Sequence, residues 1–147
     1  MAFVRGSILG FVIGVDPGAG ATVASLMAYS MEKSASKTPE KFGKGAMPGL
    51  VAPECANSAA SSGAMVPLLT LGIPGSASTA VLLAAFILWG LKPGPLMMQQ
   101  NPELAWGLIA SMYLGNMALL AINIFAIPVF VLMLKLPYRI LAPTVIL

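Results

Sequence analysis

From Cys55 to Leu91 the chain carries no charge for about 37 residues, and Ile73-Pro74-Gly75 breaks this run in its middle. The length exceeds the roughly 20 apolar residues that a helix needs to cross a bilayer. The first part is nevertheless small and polar rather than bulky, with Asn57, Ser58, Ser61, Ser62 and Gly63 following Pro53-Glu54. A second set of hydroxyls, Ser76, Ser78 and Thr79, follows the break. Uncharged hydrogen-bonding groups gathered around a Pro-Gly break predict a polar site held inside a membrane on a discontinuous helix. The competing reading is that small residues only allow helices to pack closely.

Composition supports the membrane class. Charged residues make up 9% of the 147-residue chain and hydrophobic residues 58%, whereas about a quarter of a soluble domain is charged. That leaves too little charge to coat a water-facing surface, and the mean hydropathy of +0.89 agrees. The net charge is only +3. Lys33, Lys37, Lys41 and Lys44 fall in one segment rather than on a face alternating with aromatics, which argues against a nucleic-acid partner. The single cysteine, Cys55, excludes an internal disulfide, and the absence of histidine excludes the usual zinc sites and any Ser-His or Cys-His pair.

The pattern predicts an all-α integral membrane protein with discontinuous (Pro-Gly broken) or re-entrant transmembrane helices. A first broken helix is expected over 6–31, interrupted at Asp16-Pro17-Gly18-Ala19-Gly20, because proline lacks an amide donor and glycine admits non-helical angles. The backbone groups freed there need protein, water or ligand as partners. A secretory signal peptide is the alternative for the N-terminus, with Arg5 before an apolar run and Ala19-Gly20-Ala21 as its cleavage site. Against it, the apolar pattern resumes at Thr22.

Residues 32–49 read as a solvated cytoplasmic loop whose lysines act as orientation signals. Residues 53–91 form a second broken helix or a hairpin, and 104–134 a transmembrane helix interrupted by Asn116, Asn123 and Pro128. If 64–91 cross once, Lys135 and Arg139 return to the lysine side; a re-entrant hairpin puts them opposite. The terminal apolar run 140–147 is too short to span, as expected for a fragment of a longer protein. A phosphate loop at 14–22 is excluded, since neither GxxxxGK[ST] nor GxGxxG fits.

The run from Gly14 to Met97 contains, in order, PGAG (17–20), FGKG (42–45), Pro53-Glu54 with Asn57, LTLGIPGS (69–76) and KPGP (92–95). In this order the motifs resemble the large membrane subunit of the tripartite tricarboxylate transporters, the TctA family. The resemblance implies a bacterial inner-membrane, multi-pass protein of two related halves, with this chain opening the second. It also implies secondary transport of citrate-like di- or tricarboxylates coupled to a sodium or proton gradient, with no other cofactor. A small membrane subunit and a periplasmic solute-binding protein are the implied partners. Two departures from the family pattern are Asn57-Ser58, where two asparagines are common, and Asp16 before Pro-Gly, where an apolar residue is usual.

A transported carboxylate needs donors that do not hold it too tightly. The start of a half-helix offers free amides and a partial positive charge, and in secondary transporters such starts meet at the repeat interface. Candidate substrate residues are therefore Pro74, Gly75, Ser76, Ser78 and Thr79, together with Asn57, Ser58, Ser61, Pro17, Gly18 and Gly20. The carbonyls of Thr70, Leu71 and Gly72, and the Asp16 carboxylate, are candidate ligands for a coupling cation. Asp16 has a helix cap or a water-interface position as its plainer reading, and Glu54, expected at a helix start, reads as a cap. Two other functions compete: a membrane-embedded serine hydrolase using Ser61, Ser62 or Ser76 with Lys92 as activator, and an assembly subunit that transports nothing.

Overall fold

The computed structural model describes residues 1–134. Lys135, Arg139 and the apolar run 140–147 lie outside the described residues. Helices and turns make up the described chain, which divides into two units, Met1–Pro102 and Glu103–Leu147.

The first unit opens with α1 (Ala2–Val15) and α2 (Gly20–Ala35). α1 stops because Pro17 offers no amide and disfavours a helical residue before it; Asp16 accordingly is extended, at φ −76° and ψ 116°. Gly18 (φ +101°) and Gly20 (φ +69°) then take left-handed angles that other residues rarely adopt. The chain reverses there, which corrects the expectation of one interrupted helix over 6–31. Arg5, near the start of α1, pairs at 3.6 Å with Glu32, near the end of α2, so the two helices run antiparallel as a hairpin. Their 14 and 16 residues extend about 21 and 24 Å, less than the roughly 30 Å of a bilayer core.

Helix α3 (Met47–Gly63) runs parallel to α1 and antiparallel to α2. Gly6, Gly10 and Gly14 lie in turn against Ala52, Ala56 and Ala60. A Cβ at Gly6 would stand 2.5 Å from the Ala52 carbonyl oxygen, and one at Gly10 or Gly14 would collide with the Ala56 or Ala60 backbone. Ala24 and Ala28 of α2 close the same cluster, every alanine of which is buried. Small residues at four-residue spacing let helix backbones touch, the mode of helix association that lipid leaves available. Ser25 adds a hydroxyl that donates to the carbonyls of Ala21 (2.9 Å) and Pro53 (3.2 Å).

Three sequence expectations change around α3. The loop expected over 32–49 is shorter, because α2 continues to Ala35 and α3 begins at Met47. Glu32 is buried beside Arg5 rather than solvated. Pro53 lies inside α3 and Glu54 follows it in mid-helix, so Glu54 caps nothing; the true start carries Pro48 in the first turn, where a missing amide costs no bond.

After α3 come α4 (Met65–Leu71), α5 (Ala77–Leu88) and the single turn α6 (Met97–Gln100). α4 ends at Gly72, left-handed at φ +71°, whose amide donates to Leu68 while that of Ile73 donates to Pro67. This is the usual glycine stop of a helix. The second unit is described by α7 (Pro102–Leu134), one helix over the span expected from 104–134, with Asn116, Asn123 and Pro128 inside it. Its segment Pro102–Leu132 is the one helix among the described residues long and apolar enough to cross a membrane.

Candidate functional site

The two Pro-Gly breaks of the first unit meet. The Gly18 amide donates to the Gly75 carbonyl at 3.5 Å. Beside this contact lies an open cleft of about 590 Å³, with Gly18, Gly20, Ala21 and Thr22 on one wall and Pro74, Gly75, Ser76, Ala77, Ser78 and Ala80 on the other. No charged side chain lines it. Both walls are helix beginnings, that of α2 and that of α5.

The second wall is ordered by its own hydroxyls. Ser76 sits extended ahead of α5 and its Oγ accepts from the Thr79 amide (3.2 Å), while the Ser76 amide donates to Thr79 Oγ1 (2.8 Å). Thr79 Oγ1 in turn donates to the Ser76 carbonyl (2.9 Å) and is buried. This reciprocal box satisfies the donors at each end of the first turn and leaves the amides of Ala77 and Ser78 between them. Neither amide has a partner among the described residues. Ser76 and Thr79 thus build the site's frame, and Ser78, exposed, brings its hydroxyl to the opening.

The first wall lacks such a box. Ala19 precedes α2 in a helical conformation and has no side-chain oxygen to cap it. The amides of Gly20, Ala21 and Thr22 find no acceptor among the described residues, and the exposed Thr22 hydroxyl has none either. Two helix starts with unpartnered amides, each with its partial positive charge, therefore border one neutral-walled space. Such a space suits an anion with hydrogen-bond acceptors at more than one end.

Other candidate residues lie apart from this cleft. Asn57, Ser58 and Ser61 are exposed on α3 away from its buried alanine row, and Ser61 Oγ donates to the Asn57 carbonyl at 3.1 Å. Thr70 donates its hydroxyl to Val66 at 2.7 Å and Gly72 forms the end of α4; neither lines the cleft. Asp16 and Pro17 are exposed beside Gly18 without lining it. Asp16 sits at the C-terminal end of α1 and α2 begins after Ala19, so its carboxylate caps neither helix.

Sequence reasoning missed Ala21, Thr22 and Ala80 on the walls. A signal for Thr22 was present: PGAGAT (17–22) and PGSAST (74–79) share Pro-Gly, three small residues and threonine. The structure puts the two threonines at the same place, third in α2 and third in α5.

Two curated relatives come from Agrobacterium vitis. An uncharacterized 52.8 kDa protein in the TAR-I ttuC′ 3′ region is 48% identical over 143 residues, covering 97% of this chain. An uncharacterized protein in the TAR-II ttuC′ 3′ region is 47% identical over 137 residues, covering 93%. The chain spans 28% of the first relative's length and 57% of the second's. No solved structure matches it. The sequence profile of one family matches the whole of residues 1–147, and on that match the chain belongs to the tripartite tricarboxylate transporter TctA family.

Proposed function

We propose that this chain forms part of the membrane subunit of a secondary transporter for citrate-like di- and tricarboxylates. The observation that carries the reading is the convergence of two helix starts with free amides on one cleft without charged walls. A carboxylate group would accept from the Ala77 and Ser78 amides, and a second from those of Gly20, Ala21 and Thr22. Neutral donors hold an anion by dipoles alone, so release to the other side needs no fixed ion pair to be broken.

In this reading the α1–α2 hairpin and the α4–α5 break are re-entrant or discontinuous elements within the bilayer. The chain is one of two repeats in a multi-pass protein of the bacterial inner membrane, and motion of the repeats exposes the cleft alternately. A sodium or proton gradient drives the cycle, with Asp16 and the carbonyls of Thr70 and Gly72 as candidate cation ligands. Asn57, Ser58 and Ser61 line the anion's approach. A small membrane subunit and a periplasmic solute-binding protein complete the system.

The test is uptake of labelled citrate by proteoliposomes containing the full-length protein and its partner subunits. Ser78→Glu puts a tethered carboxylate at the mouth of the cleft and is expected to reduce uptake at least tenfold, at about the cost of one charge-assisted hydrogen bond or more. Unimpaired uptake by that variant would sink the reading.

A further inference from the structure

The segment joining α2 to α3 is built, not slack. Successive turns hold it: the Thr38 amide donates to Ser36 Oγ (3.1 Å), and the amides of Lys41, Phe42 and Lys44 donate to Thr38 (3.2 Å), Pro39 (3.2 Å) and Lys41 (3.0 Å). Phe42 is buried, its ring edge-on to Tyr29 at 5.6 Å between centroids. Gly49 of α3 leaves room for that ring, since a Cβ there would stand 3.0 Å from Phe42 Cδ1. Gly43 and Gly45, at φ +82° and +91°, turn the chain around the plug.

The end of α2 and this fixed loop display an excess of positive charge. Lys33, Lys37, Lys41 and Lys44 are all exposed, and no carboxylate lies within salt-bridge range of any of them among the described residues. Glu40 is the single exposed acid of the segment, because Glu32 is buried against Arg5. Directly after the loop, α3 exposes Met47 (72%) and Leu50 (62%). Ordering four positive charges around the single negative charge of Glu40 leaves a net excess that favours an external counter-charge, and apolar side chains next to them select a counter-charge that lies beside hydrocarbon. Anionic phospholipid headgroups over acyl chains have that composition.

We infer that the Phe42-anchored loop is an anionic-lipid docking surface, with Lys37, Lys41 and Lys44 on the headgroup phosphates and Met47 and Leu50 in the adjoining acyl region. Phe42 holds the lysines at a fixed height, so lipid binding orients the α2–α3 end of the unit against the bilayer surface. The interaction is electrostatic at range and weakens as salt shortens the screening length.

The full-length protein is placed in nanodiscs of phosphatidylcholine with spin-labelled phosphatidylglycerol or spin-labelled phosphatidylcholine as probe. The expected result is a preference for the anionic probe of about fivefold or more, the contribution of one lysine near a charged surface. The preference should fall to within about twofold in Lys37→Gln/Lys41→Gln/Lys44→Gln, return in the matching triple arginine variant, and shrink at high salt. Both triple variants replace exposed side chains only, so their unfolding midpoints in detergent are expected to match wild type, and the arginine variant serves as the folded control. A glutamine variant that keeps the full preference overturns the inference. So does displacement of the labelled lipid by millimolar inorganic phosphate, which would mark a free-anion site, or a lysine-dependent preference that appears only when the partner subunits are present, which would mark an acidic protein surface.

Discussion

At the scale of single residues, two threonines in equivalent positions do different work. Thr79 is buried and locked into a box with Ser76, whereas Thr22 presents an unpaired hydroxyl to the cleft. The difference arises one helical turn earlier, where Ser76 supplies a capping oxygen and Ala19 does not. Thr79→Val is therefore expected to lower stability by about 1 kcal/mol, the usual cost of a lost cap. Thr22→Val should leave the unfolding midpoint almost unchanged, as exposed substitutions generally do, while weakening citrate binding severalfold. Thermal unfolding and binding measured on the same pair of full-length variants check this. Of the site residues, Gly18, Gly20, Pro74, Gly75, Ser76 and Ser78 were legible in the sequence because Pro-Gly breaks announce free backbone. Thr22 was marked only by the likeness of PGAGAT to PGSAST, and its different role follows from Ala19, which leaves α2 without the side-chain cap that Ser76 gives α5.

Among the elements, the sequence marked where helices stop but not which way the chain leaves. A proline and two glycines end α1 equally well whether the next helix continues or returns; only the packing of α2 on α1 and α3 makes it a hairpin. That packing was itself written as glycine at 6, 10 and 14 and alanine at 52, 56 and 60, a period of four obscured by bulky residues in α1 and by other small residues in α3. The reading of Pro53 as a helix start failed for a physical reason as well: the Pro53 carbonyl is taken up by Ser25, and α3 continues past the missing amide among closely packed neighbours. The element-scale prediction concerns the glycine row. Gly10→Ala forces a Cβ into the Ala56 backbone, and overpacking of this kind costs about 1–3 kcal/mol. Gly107→Ala, in mid-helix with no atom within 4 Å, gains helix propensity instead and should not destabilise. Denaturation of the two variants in the same detergent orders them, and equal stability would contradict the close contact of α1 with α3.

For the whole molecule, membership of the TctA family places the chain in a membrane transporter family, and the helices of the described residues, with the long apolar α7, are consistent with that. The broad class was legible because charge is so scarce. The meeting of the two breaks was less so, since 54 residues lie between Gly20 and Gly75 and no local pattern fixes such a contact. The central claim is that free amides at the starts of α2 and α5 hold the carboxylate. Ala77→Pro tests it most directly. Position 77 is the first residue of α5, where proline fits, and Ser76 before it is already extended at φ −154° and ψ 168°. The substitution removes one donor from the cleft and leaves the helix in place, whereas Ala77→Gly keeps the donor. Labelled citrate binding to the full-length protein is predicted to weaken about tenfold or more in Ala77→Pro and to stay near wild type in Ala77→Gly, with both variants folded. Wild-type binding by a folded Ala77→Pro protein would contradict the account.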